Sequence, residues 1–270
     1  MVESVIALFE YGFIQRALIA GIIISLAASS LGVFVVLKRF SLIGDTLGHT
    51  AFTGIAIGLF MNISHFWPAL ILTILASLGI TKIKTSTRIK GDSILAVLLY
   101  CSLALAIVLL SFSNTKGESI SNILFGSILL VTSEDLIIII ALSSLTLFTI
   151  GLLFKEFMHI SLNEDLAKAN GLPVNILNYL MNILIAFIII TSMRIVGILI
   201  ISALLVIPAI SALQLSKSFN QTILLSMFFG FISVVSGMIA AIILDSAPGG
   251  TIVLISGFIF LLTLVWNKYS

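Results

Sequence analysis

The chain has 270 residues, of which 60% are hydrophobic and only 9% are charged. Soluble domains carry about a quarter charged residues, so this chain cannot cover a water-facing surface and is predicted to be an integral membrane protein. The net charge of +2 is too small to indicate a nucleic-acid partner, and the single cysteine excludes an internal disulfide and a thiolate metal cluster.

The predicted elements are membrane-spanning helices, since about 20 mainly apolar residues are needed to cross the hydrocarbon core. In chain order the candidate spans are 13–37, 43–62, 65–81, 93–113, 134–154, 173–193, 195–213, 221–244 and 250–266. Residues 118–131 are too short for a span and are interpreted as a re-entrant or interfacial segment. The sequence therefore predicts an all-α, polytopic transmembrane helical bundle of about eight or nine spans, forming one domain over residues 1–270.

The orientation of the spans is predicted from the basic residues, which concentrate in cytoplasmic loops. They follow or flank alternate spans, at Lys38, Arg39, Lys82, Lys84, Arg88, Lys90, Lys155, Lys168, Lys217 and Lys268. This pattern predicts an external N-terminus and a cytoplasmic C-terminus. The stretch MVESVIALFEYGF is acidic and lacks the positive region of a cleavable signal, so the first span is expected to be retained.

Three sequence motifs are absent from the chain. There is no G-x-x-x-x-G-K-[ST] phosphate loop, so the chain does not bind ATP by that means. There is no H-E-x-x-H, which weakens an intramembrane zinc protease, and no arginine-rich helix typical of a voltage sensor. A membrane-embedded enzyme is therefore the weakest interpretation.

The most unusual stretch is LIGDTLGHTAFTG, residues 42–54, which places Asp45 and His49 at the mouth of an apolar run. Residues four apart lie on one face of a helix, so both side chains can point at one spot, with Thr53 one turn further. A carboxylate beside a neutral imidazole is a ligand pair suited to zinc or manganese. The alternative is that Asp45 caps the helix at the lipid interface while His49 hydrogen-bonds to a neighbour.

A second unusual stretch is SLNEDLAKANGLPVN, residues 161–175, in which charged residues and alanines precede Gly-Leu-Pro. This pattern predicts a short cytoplasmic helix that is capped by Asn163, has Glu164 and Asp165 in its first turn, and stops at Gly171. Such a helix can dock on another protein. An ordinary amphipathic connector is the alternative.

Longer motifs extend over most of the chain. The stretches FIQRALIAGIIIS, LGVFVVLKRFSLIGDTLGHTAFTGIAIG and NILFGSILLVTSEDL precede VGILIISALLVIPAISA and DSAPGGTIVL. In these motifs and their order the chain resembles the membrane permeases of bacterial ATP-binding-cassette importers for zinc, manganese and iron(II). The G-D-x-x-x-H stretch and the V-G-x-L-x-I-S-A-L-L-V-I-P-A block are the most specific parts of the resemblance.

The resemblance implies a metal site formed by Asp45 and His49 on the second helix. No cofactor is expected to be bound permanently, and the transported ion is zinc or manganese. The family works as a permease homodimer with two ATP-binding-cassette ATPase subunits, and an extracytoplasmic metal-binding lipoprotein supplies the ion. The chain would then be a transport subunit rather than an enzyme, surrounded by membrane lipid as a multi-pass protein of the bacterial cytoplasmic (inner) membrane.

The resemblance also implies that residues 161–171 are a coupling helix that enters a cleft of the ATPase subunit. The importer pattern for this helix is E-A-A-x-x-x-G, and the matching stretch here is D-L-A-K-A-N-G. Asp165 replaces the glutamate, while Ala167 and Gly171 match the second alanine and the glycine. Leu166 departs from the first alanine.

The metal and the position of the site are less fully specified. The NILFGSI segment favours zinc, with manganese next. The charge pattern begins the second span near the cytoplasmic face, whereas a site that receives ions from outside is expected deeper in the bundle. Two other functions stay open: an ATP-driven permease for a siderophore or vitamin, which would tolerate loss of His49, and a self-sufficient secondary cation carrier, which would need no ATPase.

Overall fold

The computed structural model describes residues 11–86, 91–112, 124–126, 131–193, 195–198 and 201–269, so most of the predicted re-entrant segment 118–131 lies outside the described residues. In the described parts, the regular structure is α-helical, and the predicted all-α bundle is confirmed. The helices are α1 (Gly12–Leu37), α2 (Ile43–Phe60), α3 (Phe66–Ser86), α4 (Gly91–Ser111), α5 (Ser133–Leu152), α6 (Phe154–Leu162), α7 (Glu164–Ala169), α8 (Val174–Ser192), α9 (Ile201–Leu215), α10 (Phe219–Leu244) and α11 (Pro248–Tyr269).

Each of the predicted spans coincides with one of the long helices. Seven of those described, α1, α3, α4, α5, α8, α10 and α11, are long and apolar enough to cross a membrane. The other two predicted spans do not reach that length or hydropathy. α2 is less apolar because it carries Asp45, His49 and several glycines, and the described part of α9 has 15 residues. The chain is therefore a multi-pass membrane protein, as predicted.

The helices divide into a buried centre and a lipid-facing periphery. The buried share of the most apolar stretch is 72% in α1 and 67% in α8, against 22% in α4 and in α11. α2 packs between α3 and α4 and also contacts α8 and α9. The large exposed side chains in the middle of α4 are apolar or aromatic, among them Val97, Tyr100 and Ile107, as expected of a surface solvated by lipid.

The chain turns between α8 and α9 at residues 195–198. Gly197 has a φ of +86°, a backbone conformation that other residues rarely adopt. A Cβ atom on Gly197 would lie 2.4 Å from the carbonyl oxygen of Leu124. Residues 195–198 therefore form a turn rather than the beginning of a span as predicted, and α9 is described from Ile201.

The polar segment that follows α6 forms a shorter helix than the predicted 161–171. Asn163 separates α6 from α7. Its side-chain oxygen accepts hydrogen bonds from the backbone N–H groups of Asp165 and Leu166, over 3.0 and 3.1 Å. Glu164 and Asp165 occupy the first turn of α7. The helix ends before Gly171, whose φ is +78°. The predicted cap, first turn and stop are confirmed, and residues 161 and 162 of the predicted segment belong to the end of α6.

Candidate functional site

Over its first part, from Ile43 to Ala56, the accessible face of α2 consists of two polar side chains. Between Ile43 and Ala56, every residue of α2 is buried except Asp45 and His49, which are partly exposed. They lie one helical turn apart, as the spacing predicts. A lipid-facing stripe would be apolar, so these two side chains face either a polar space within the bundle or another protein.

Asp45 has a partner that sequence reasoning missed. The hydroxyl of Ser202, near the start of α9, donates a hydrogen bond to Asp45 Oδ1. This hydroxyl fixes one oxygen of the carboxylate but brings no charge. The second carboxylate oxygen takes no part in this hydrogen bond.

The imidazole of His49 lies one helical turn from Asp45 and, in the part of the chain that the structure describes, has an unpaired ring nitrogen. Its Nδ1 atom is buried and has no hydrogen-bond partner among the described residues. Buried polar atoms are normally paired, but no hydrogen bond between Nδ1 and a described residue fixes the orientation of this ring. Which ring nitrogen carries the proton is set by such a partner. The predicted alternative of a His49 hydrogen-bonded to a neighbour finds no support at Nδ1.

Small residues let α9 approach this face of α2. A Cβ atom on Gly44 would lie 2.8 Å from Ser202 Cβ, and one on Gly48 would lie 3.2 Å from the carbonyl oxygen of Ile198. Any larger side chain at Gly44 would push Ser202 away from Asp45. Small residues allow membrane helices to approach closely. Here Gly44 and Gly48 also allow Ser202 to come within hydrogen-bonding distance of Asp45.

The position of the pair along α9 follows from its neighbour. Ser202 is the second residue of α9, and α9 ends at Leu215, shortly before the basic residue Lys217. A helix rises 1.5 Å per residue, so Asp45 lies about 20 Å along α9 from that basic end. The position of the pair relative to the lipid bilayer stays a prediction.

Other titratable groups do not complete a larger cluster at this position. Among the described residues, no group of three or more His, Cys, Asp and Glu side chains could hold a metal ion together. Thr53, one turn beyond His49, is buried and donates to the carbonyl oxygen of Ser102 on α4. It therefore belongs to the α2–α4 packing. One chain supplies one carboxylate and one imidazole.

A second charged cluster lies where α1, α3 and α7 meet. Glu164 Oε1 is 2.8 Å from Lys38 Nζ and 3.2 Å from Lys84 Nζ. Burial raises the pKa of Glu164, but the attraction of the Lys38 and Lys84 ammonium groups outweighs it, so this pKa is lowered overall. Burial lowers the pKa of Lys38, and the Glu164 carboxylate only partly opposes that shift. None of these three residues was predicted to be functional.

The three predicted ATPase-coupling residues have different surroundings. Asp165 is exposed, whereas Ala167 is buried against the rest of the chain. Gly171 is exposed and has nothing within 4 Å of a Cβ position, but its positive φ would strain any other residue. Leu166, which departs from the importer pattern, is 63% exposed. The side chains of Asp165 and Leu166, and not that of Ala167, are thus available to a partner.

Comparison with known proteins places this architecture in a family. The model of the ABC 3 transport family matches residues 10–267. The chain belongs to this family. The resemblance to permeases of ATP-binding-cassette importers, drawn from the sequence motifs, is thereby confirmed.

The similarity to individual family members extends over nearly the whole chain. The manganese import system permease protein ScaB of Streptococcus gordonii is 36% identical over 261 residues, 97% of this chain and 94% of ScaB. The high-affinity zinc uptake system membrane protein ZnuB of Haemophilus influenzae is 30% identical over 253 residues, 92% of this chain and 95% of ZnuB. The solved structure of PsaBC from Streptococcus pneumoniae in complex with Fab matches with a TM-score of 0.86 and 33% identity, covering 97% of this chain and 95% of that one.

Proposed function

We propose that this chain is the permease subunit of an ATP-binding-cassette importer that carries a divalent transition metal, zinc or manganese, across the cytoplasmic membrane. The observation that carries the proposal is the stripe formed by Asp45 and His49. These are the only partly exposed residues of α2 between Ile43 and Ala56, and His49 Nδ1 has no hydrogen-bond partner among the described residues. Similarity to a manganese permease and a zinc permease supports the choice of cargo.

The stripe suits a carrier better than a storage site. One carboxylate and one imidazole bind a divalent metal weakly, and a transported ion has to leave as well as enter. In a homodimer, two-fold symmetry would place a second Asp45 and His49 opposite the first, if the two α2 faces meet. Alternating access would then open this shared site first to the external binding protein and afterwards to the cytoplasm.

The helix α7 is the proposed contact with the ATPase subunit. It is short, has a side-chain cap and a glycine stop, and presents Leu166 outward. Leu162 at the end of α6 is also 61% exposed. Two exposed leucines on a charged cytoplasmic segment are better explained by a protein partner than by lipid. ATP would be hydrolysed in that partner, since the chain lacks a phosphate loop.

The preference for zinc over manganese stays a prediction. Imidazole ligands suit zinc, whereas carboxylate and hydroxyl oxygens suit manganese, and this site offers both kinds of atom. Relatives named for each metal share similarity over most of the chain. The ligand set therefore defines the class of ion and leaves its identity to measurement.

The test is metal-dependent ATP hydrolysis and uptake by the complex of permease, ATPase and binding protein reconstituted in liposomes. Zinc, manganese and iron(II) are each loaded on the binding protein. We expect zinc or manganese to stimulate both ATP hydrolysis and uptake. Gradient-driven cation transport by the permease alone would instead support a secondary carrier. Uptake of a siderophore or vitamin that survives loss of His49 would support the organic-nutrient alternative.

A further inference from the structure

The carboxylate of Glu164 connects the first turn of α7 to three other helices. Lys38 follows the last residue of α1, and Lys84 lies in the last turn of α3; both contact Glu164 Oε1. Asn178 on α8 donates to the same oxygen over 3.3 Å and also accepts a hydrogen bond from Lys38. A displacement of α7 can therefore act on all three helices through this side chain.

The two lysines lie next to the turn that leads to Asp45. Residues 39–42 join Lys38 to α2, and Asp45 is in the first turn of that helix. Within this turn the ring of Phe40 is buried, and Lys84 Nζ lies 5.1 Å from its centroid. The backbone is compact as well, because the Phe40 N–H donates to the Val35 carbonyl oxygen over 3.0 Å. A shift of either lysine would move this turn and the start of α2.

Stability alone is a poor explanation for the cluster. The Lys38 side chain is only 5% exposed, and moving an ammonium group out of water costs about as much as an ion pair returns. An apolar contact would join α7 to α1 as firmly. Ionic contacts have discrete alternative partners, and a cleft of about 280 Å³ beside the cluster, lined by Thr81, Lys168 and Asn182, leaves room for rearrangement.

We propose that Glu164 is the positioning residue that transmits movement of α7 to Asp45 and His49. Its carboxylate pulls on Lys38 and Lys84, these displace the 39–42 turn, and the turn moves the start of α2. The inference rests on the proposed function in one respect, namely that an ATPase subunit moves α7.

The test measures ions imported per ATP hydrolysed by the reconstituted complex with manganese- or zinc-loaded binding protein. The variant Lys38→Met/Glu164→Gln removes both members of the close pair together, so neither charge is left buried alone. We expect the assembled complex to keep ATP hydrolysis, while the number of ions per ATP falls about tenfold, within the usual range of coupling free energies. Lys155→Met, at an exposed position on α6, is the matched control and should leave the ratio unchanged.

The conservative variant Glu164→Asp keeps the charge and is expected to recover part of the ratio. An unchanged ratio in the double variant would overturn the proposal. A parallel loss of hydrolysis and uptake would also overturn it, because that result indicates a structural role. Failure of the unmodified complex to import either metal is a separate result, which contradicts the proposed function itself.

Discussion

Asp45 and Glu164 are both carboxylates in the first turn of a helix, yet their surroundings are opposite. Asp45 accepts a hydrogen bond from the neutral hydroxyl of Ser202 and lies near an imidazole with an unpaired nitrogen. Glu164 is surrounded by two ammonium groups and an amide. A carboxylate that is neutralised by fixed cations cannot take up a mobile one. The difference separates a group suited to handling an ion from a group suited to joining helices.

The largest expected effect follows from removing either proposed metal ligand, Asp45 or His49. Asp45→Ala and His49→Ala should each lower metal uptake by the assembled complex to below about a hundredth of that of the unmodified complex. Losing a residue that only supports a ligand costs about 10- to 100-fold, and losing the ligand itself should cost more. The measurement is uptake of radioactive metal into liposomes. Asp92→Ala and His65→Ala are matched controls, since Asp92 is also in the first turn of a helix and both residues are exposed. Normal uptake by either ligand variant would remove the basis of the proposed site.

A smaller effect is expected at the hydroxyl partner of Asp45. Ser202→Ala frees the carboxylate to rotate, so we expect uptake to fall about tenfold, mainly through a higher KM for the metal-loaded binding protein. Ser211→Ala is the control on the same helix, because the Ser211 hydroxyl donates over 2.9 Å to the carbonyl oxygen of Ile207 within α9. Equal losses in the two variants would indicate a general effect on α9 and contradict a specific role for Ser202.

The smallest expected effect is the pH dependence of the stability that Glu164, Lys38 and Lys84 contribute. The pKa of Glu164 is lowered in the folded chain, so its ion pairs stabilise the fold above the unfolded-state pKa, near the ordinary value of 4.5. That stabilisation is lost as the pH falls through the lower, folded-state pKa. The difference in Tm between the unmodified chain and Glu164→Gln should therefore be a few degrees at neutral pH and shrink below pH 4.5.

Thermal unfolding of both proteins across this pH range in one detergent checks the prediction. Glu134→Gln, an exposed position on α5, is the control for removing a carboxylate. A Tm difference between the unmodified chain and Glu164→Gln that grows as the solution is acidified would contradict the assigned sign.

Much of the fold and part of the candidate site could be predicted from local patterns. The long apolar runs fixed where the helices lie, and the D-x-x-x-H spacing placed Asp45 and His49 on one face of α2. The cap at Asn163 and the end of the helix before Gly171 could also be predicted from the sequence, because both depend on a few neighbouring residues. The turn at residues 195–198 was not predicted, since it involves a close approach between Gly197 and Leu124, which are far apart in sequence.

The sequence by itself determined the membrane class, the helices, and the spacing of the two candidate ligands, because hydropathy and helical period act over short stretches. Only the tertiary structure decided that Ser202 donates a hydrogen bond to Asp45 and that Glu164 is bound by Lys38 and Lys84. Each of these depends on side chains from separate helices, and their partners are chosen by packing. No local pattern specifies such a pairing.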